Sequence, residues 1–159
     1  MIIRKIQPAD NLKIEGIIKA ALIEFGLPTT GTAFEDEETV SMYDAYQNER
    51  EVYYVLDVDG EVLGGGGIKQ LKGSEKITCE LQKMYFDPKV RGKGYGQLFF
   101  DTCMQAAKNF GYEKCYLESA STLKAAIHIY EKNGFKHLNS HIGETGHFSC
   151  SVWMLKELS

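Results

Sequence analysis

The sequence predicts an α/β (α+β) fold on three observations. β-branched and aromatic runs joined by hairpin chemistry fill its first half, helix and strand patterns alternate in its second, and no linker divides the 159 residues. With 43% hydrophobic residues, a chain of this length can build one continuous core, so residues 1–159 are read as a single domain. The net charge of −4 gives no basic face for a nucleic-acid partner. Ile2, Ile3 and Ile6 are interrupted by Arg4, Lys5 and Gln7 and followed by Pro8, which is too broken a run for a secretory leader. No apolar run reaches bilayer length. A cytoplasmic protein without a membrane partner is therefore expected. Cys79, Cys103, Cys115 and Cys150 form no C-x-x-C pair and are read as free thiols, mostly buried.

Each element follows from local pattern. Ile2, Ile3 and Ile6 predict a short first strand, and Pro8 and Asp10 lead into a helix with Asp10 as N-cap. Ile14, Ile17, Ile18, Ala21, Leu22 and Phe25 recur at helical spacing, and Gly26 with Pro28 ends that helix. After a polar loop over 28–36, the acidic run Glu35-Asp36-Glu37-Glu38 starts a second helix, its charge complementing the dipole or else attracting an amine. Val52 to Val58 is a strand, Asp59-Gly60 a hairpin turn and Val62 to Leu71 the antiparallel return, which Gly64 to Gly67 interrupt with a bulge or a close approach of backbone or ligand. In Ile77 to Phe86, Leu81 lies out of phase with Met84 and Phe86, which predicts another bulge. Tyr95, Leu98, Phe99, Met104, Ala106, Ala107 and Phe110 form a helix closed by Gly111, and Cys115 to Leu117 a buried strand. Ser121 or Thr122 caps a helix through Ala125, Ala126, Ile129 and Tyr130, closed by Gly134. Strands over Phe135 to Leu138 and His147 to Leu155 complete the chain.

Arg91-Gly92-Lys93-Gly94-Tyr95-Gly96 stands where a strand hands over to a helix. Its alternating glycines let the N–H groups of Gly92 through Gln97 approach a bulky anion at a positive helix terminus, each such interaction contributing about 0.3–1 kcal/mol. Arg91 and Lys93 add mobile positive charge. The hexad is not a dinucleotide fingerprint, since its glycines are spaced differently and several strands precede it. It also lacks the Gly-Lys-Ser/Thr ending of a P-loop. It reads as a pyrophosphate cradle. His137, His141, His147 and Cys150 match the spacing of no common zinc module and fall across predicted strand ends, so no metal is expected. His147 is open to a role as a substrate-side polar group or base, and Cys150 reads as packing rather than as a nucleophile.

Glu80-Leu81-Gln82-Lys83-Met84-Tyr85-Phe86, the hexad, and Ala126 through Tyr130-Glu131-Lys132-Asn133-Gly134-Phe135 resemble, in order, the motifs of the GNAT superfamily of acetyl-CoA-dependent N-acetyltransferases. The resemblance is strong over residues 77 to 138. It implies a GNAT-like mixed, mainly antiparallel central sheet, splayed at a bulged strand and flanked by about four helices. It implies acetyl-CoA as co-substrate, with the pyrophosphate on Arg91, Gly92, Lys93, Gly94, Tyr95, Gly96 and Gln97 and the pantetheine arm along Met84, Tyr85 and Phe86. Where many members carry a CoA-contacting asparagine this chain has Leu123, with Ser119, Ser121 or Thr122 near enough to compensate. The implied reaction is direct transfer of the acetyl group to a primary amine, on a small molecule or a peptide, with loops around 26–36 and 139–147 setting the choice. A non-catalytic acyl-CoA sensor would keep the hexad but need neither Glu80 nor Tyr130. The oligomeric state is left open, a homodimer included.

Direct transfer needs a base for the amine, a donor for the developing oxyanion and an acid for the leaving thiolate. The resemblance puts Glu80 where some members carry a catalytic glutamate, and burial there would raise its pKa. The same residue reads equally as a solvated strand carboxylate or an anchor for a substrate ammonium group. Tyr130 matches the tyrosine that often protonates the CoA sulfur in this family; its other reading is a tyrosine on the packed face of its helix. A backbone N–H near Met84 or Phe86 is the candidate oxyanion donor.

Overall fold

The structure is a computed structural model that describes residues 1–158. In chain order it contains β1 (Ile2–Lys5), α1 (Asn11–Glu24), α2 (Met42–Ala45), β2 (Val52–Val58), β3 (Glu61–Gln70), β4 (Thr78–Phe86), α3 (Tyr95–Asn109), β5 (Lys114–Ser119), α4 (Lys124–Lys132), β6 (Lys136–His137) and β7 (Val152–Glu157). The strands form one sheet in the order β1-β2-β3-β4-β5-β7-β6. Only the β4–β5 pair is parallel, and every other pair is antiparallel.

Alternation along β2 divides the core between two layers. Val52 and Leu56 pack with Phe99, Cys103 and Ala107 on the α3 face, whereas Tyr53 and Val55 pack with Ile14, Ile18 and Leu22 on the α1 face. The Asp59-Gly60 turn has φ of 52° and 88°, the left-handed pair that a tight two-residue hairpin demands. β3 runs unbroken through Gly64 to Gly67, so the expected interruption is absent, while the close approach expected there is present. Those glycines lack side chains because their neighbours occupy the space: a Cβ at Gly65 would lie 2.5 Å from Tyr53 Cε1, and one at Gly67 2.7 Å from Tyr53 Cδ2. The expected bulge in β4 is present. The register shifts between Gly65 and Gly67, opposite Gln82 to Tyr85, and Lys83 takes a left-handed φ of 50°.

Other boundaries differ from expectation for local reasons. Asp10 sits at the N-cap of α1 without capping it, because its carboxylate accepts the Gln7 N–H at 2.8 Å and the Arg4 guanidinium at 2.8 and 3.1 Å. The acidic run opens only a 3-10 turn, Glu37–Val40, ahead of the one-turn α2. α4 starts from Leu123, with no cap from Ser121 or Thr122. The sixth strand shortens to Lys136–His137, and the last begins at Val152 because residues 147–150 form a loop held by other contacts. No helix among the described residues is long and apolar enough to cross a membrane.

Candidate active site

α3 begins at Gly94, which has no side chain to cap it. Among the described residues no protein acceptor takes the N–H of Gly92, Lys93, Gly94, Tyr95, Gly96 or Gln97; the first helical bond runs from Leu98 N to Gly94 O at 3.3 Å. Gly92 and Gly94 have φ of 74° and 85°, and a Cβ at either would meet nothing within 4 Å. Both line a cavity of about 430 Å³ with Met84, Tyr85, Phe86, Arg91, Tyr95, Gly96 and Gln97, walled on the other side by Leu123, Ala126 and Ile129. Consecutive unpaired donors at a positive helix end, beside an apolar cleft, suit a pyrophosphate with an attached chain.

Two charges behave differently from the sequence reading. Lys93 does not line this cavity. Arg91 is not mobile, since its Nε donates to Phe86 O at 3.0 Å and its guanidinium pairs with Glu24 at 2.6 Å. Gln97 is fixed by a reciprocal amide pair with Asn133, at 2.9 and 3.1 Å. Asn133 ends α4, so the pair locks the start of one helix to the end of the other.

Pairing between β4 and β5 stops at Glu80 opposite Tyr116, although β4 continues to Phe86 and β5 to Ser119. A narrow cleft of about 40 Å³ opens where the strands part, lined by Lys83, Met84, Tyr85, Leu117, Glu118 and Tyr130. The β5-facing main chain of Met84 and Phe86 is thereby left without a strand partner. Tyr130 packs between Phe100 and Phe135, and burial pushes its pKa up. No group among the described residues hydrogen-bonds its hydroxyl. Tyr130 therefore lies on the packed face of its helix and also lines this cleft.

Across β4 lies a second cavity, of about 670 Å³, lined by Asp36, Glu37, Glu38, Asp44, Lys69, Lys72, Glu80, Gln82, Lys83, Thr145 and His147. Glu80 is 5% exposed, which excludes the solvated-carboxylate reading. Burial raises its pKa to about 7 against the opposing hydrogen bond from Gln82 Nε2, at 2.7 Å, and the Glu118 charge adds to the rise. Tyr85 lines both the first cavity and a small pocket of about 40 Å³ that also contains Glu80, Glu118, His147 and Cys150, so the two sides meet at this residue.

Sequence reasoning missed the ion pairs that shape the second cavity. The buried Lys83 ammonium donates to Glu38 Oε1 at 2.7 Å and lies 3.3 Å from Asp36 Oδ2. The acidic run therefore does not serve a helix dipole. Burial alone would raise the Asp36 pKa, but His147 and Lys83 hold it below the usual carboxylate value; Glu38 is held down likewise by Lys83 and Lys69. His147 Nε2 donates to Asp36 Oδ2 at 2.7 Å, which outweighs burial and raises the imidazole pKa. Glu118, which no sequence motif marked, accepts the Tyr116 hydroxyl at 2.7 Å and the Thr145 hydroxyl at 2.5 Å. These partners come from segments up to 111 residues apart, and no local signal announces them.

This open sheet, splayed beside a glycine-rich helix start with a cavity on each side of the split, is the architecture of an acyltransferase. Residues 20–135 match the family profile described as Acetyltransferase (GNAT) family, and the chain belongs to that family. It is 41% identical over 99% of its length, and 95% of the relative's, to the Escherichia coli (strain K12) protein "Uncharacterized N-acetyltransferase YjgM". Its fold is similar to the crystal structure of an acetyltransferase of GNAT family from Staphylococcus aureus Mu50, with a TM-score of 0.85 at 16% identity, covering 99% of each chain. It is also similar to a GNAT superfamily phosphinothricin acetyltransferase from Sinorhizobium meliloti in complex with AcCoA, with a TM-score of 0.79 at 19% identity over 99% of this chain and 88% of the other.

Proposed function

We propose that the protein moves the acetyl group of acetyl-CoA directly to a primary amine. The observation that carries this reading is a cavity bordered by the unpaired N–H groups of the Gly92 to Gln97 segment that shares Tyr85 with a small pocket, which in turn shares buried Glu80 with the second cavity. The S. meliloti relative holds AcCoA, in keeping with this choice of donor. Bound there, acetyl-CoA would supply an activated acyl thioester. Gly92 through Gln97 hold the pyrophosphate by backbone donation, while the β4 segment Met84 to Phe86 receives the amide-bearing arm along its β5-facing edge, where the Met84 main chain and the Phe86 N–H are without a strand partner, and supplies the oxyanion donor.

Glu80, with a pKa near 7, takes the ammonium proton of the acceptor directly or through water. Tyr130, its hydroxyl kept neutral by burial, gives its proton to the thiolate as the C–S bond breaks and is reprotonated by the second proton that the nitrogen sheds, through water, as the amide forms. Five carboxylates against three lysines around the second cavity favour a cationic amine.

The test is thiol release from acetyl-CoA across a panel of small-molecule and peptide amines. Glu80→Gln and Tyr130→Phe should each lower kcat by about 10²-fold or more while acetyl-CoA binding persists. Background thiol release from the wild-type protein with every amine, despite tight acetyl-CoA binding, would sink the catalytic reading.

A further inference from the structure

The small pocket beyond Glu80 brings together one carboxylate, one imidazole and one thiol. A ligand atom from each of Glu118, His147 and Cys150 lies within 4.8 Å of the others, and His147 Nδ1 is 4.0 Å from Glu118 Oε1. The linear spacing of histidines and Cys150 gave no such site, because Glu118 comes from β5 and the other two from the loop before β7. All three residues border the same pocket of about 40 Å³, which has room for a single ion.

The groups behind these residues point to a metal more strongly than the cluster alone does. His147 uses Nε2 on Asp36 Oδ2 at 2.7 Å, which leaves Nδ1 facing Glu118, the arrangement in which a carboxylate orients a metal-binding imidazole. Both oxygens of Glu118 are themselves held, by Tyr116 and Thr145. Asp36, Glu38, Glu80 and Glu118 surround the region against Lys83 and Lys69, which leaves carboxylates in excess, so a dication is electrostatically welcome.

We propose that Glu118, His147 and Cys150 form a three-ligand zinc site, with a fourth position open to water. Nitrogen, sulfur and carboxylate donors together suit Zn²⁺ rather than Mg²⁺ or Ca²⁺, which take oxygen ligands. Binding closes the donors by about an ångström toward Zn–S near 2.3 Å and Zn–N near 2.0–2.1 Å. The thiol proton of Cys150 leaves to solvent, and His147 binds as the neutral imidazole with its remaining N–H on Asp36. An ion here borders Glu80, so zinc should inhibit any chemistry that uses that carboxylate.

The experiment uses the whole, metal-free protein and the metals alone. Co²⁺ titration should give a sulfur-to-cobalt charge-transfer band at one equivalent, and Zn²⁺ should bleach it stoichiometrically. Cys150→Ser should abolish the band. His147→Gln and Glu118→Gln should weaken Zn²⁺ binding by at least 100-fold in competition with a chromophoric chelator, and Asp36→Asn by about 10–100-fold. Circular dichroism checks that each variant is folded. Absence of the band from the wild-type protein overturns the site whatever the variants do, as does Zn²⁺ affinity unchanged in folded Cys150→Ser. None of these readouts depends on acetyl transfer, so the site and the catalytic proposal stand or fall separately.

Discussion

Gln82 Nε2 donates to Glu80 Oε1 at 2.7 Å along one face of β4, while the carbonyl oxygen of the same amide accepts the Tyr46 hydroxyl. Tyr46 thus helps hold the amide with its N–H toward the carboxylate. The bond favours ionised Glu80 and keeps its pKa below where burial alone would drive it. A hydrogen bond to a charged group contributes about 1.5–3 kcal/mol, and one pKa unit is about 1.4 kcal/mol. Gln82→Leu should therefore move the acidic limb of the kcat/KM profile alkaline by about one pH unit or more. An unmoved limb would show that a different group is being titrated.

Glu80 also couples stability to pH. Its pKa rises from an ordinary 4.5 to about 7 in the folded protein, so between these values the native state holds more protons than the unfolded chain. Stability contributed by the neutral acid is full below pH 4.5 and declines as pH rises through 7. Glu80→Gln cannot titrate and can still accept from Gln82. It should be more stable than wild type by about 2–3 kcal/mol at pH 8 and nearly equal at pH 4, measured by urea denaturation at both.

The Lys83 ammonium has the opposite sign in this account. Asp36 and Glu38 are held below their ordinary values of 3.8 and 4.5, so their stabilisation is present above that range and disappears as pH falls through the depressed folded values. Lys83→Met leaves two partly buried carboxylates short of a cation. It should cost about 2–3 kcal/mol at pH 7 and shift acid unfolding to higher pH. Ellipticity followed from pH 7 downward would show both effects.

Two glycines separate ligand binding from folding. At Gly94 an added Cβ meets open space, so Gly94→Ala carries only the cost of a left-handed backbone, about 1–2 kcal/mol, yet puts a methyl group into the cradle. At Gly65 the added Cβ would lie 2.5 Å from Tyr53 Cε1 and 2.8 Å from Tyr54 O. Gly65→Ala should lose at least 3 kcal/mol through overpacking in mid-sheet. Isothermal titration with CoA beside thermal melts should show Gly94→Ala failing chiefly in affinity and Gly65→Ala chiefly in stability.

The hexad side of the candidate site was legible because its chemistry is local. The Arg91 to Gly96 hexad needs only consecutive backbone groups, and the phase slip from Leu81 to Met84 recorded the β4 bulge within a few residues. The cavity across β4 was not, because Asp36, Lys83, Glu118 and His147 meet through the fold and each looks ordinary in its own neighbourhood. β3 shows the same limit. The glycine run signalled a close approach at Gly64 to Gly67, but nothing beside it in sequence shows that Tyr53, Met84 and Phe86 are the groups that fill the missing side-chain space and leave the strand unbroken.

The loop before β7 crosses to the loop after α1, where Ser149 N donates to Gly31 O at 3.0 Å and Ser149 Oγ to Thr30 O at 2.7 Å. His147 on Asp36 adds a third fastening between the same two segments. Residues 30–36 and 147–149 do not line the cleft beside the hexad. On the proposed function, the two fastened loops form a replaceable roof: exchanged together, they would redraw which amine is admitted while the hexad stays untouched. Changed singly, they would lose the stitches that hold them.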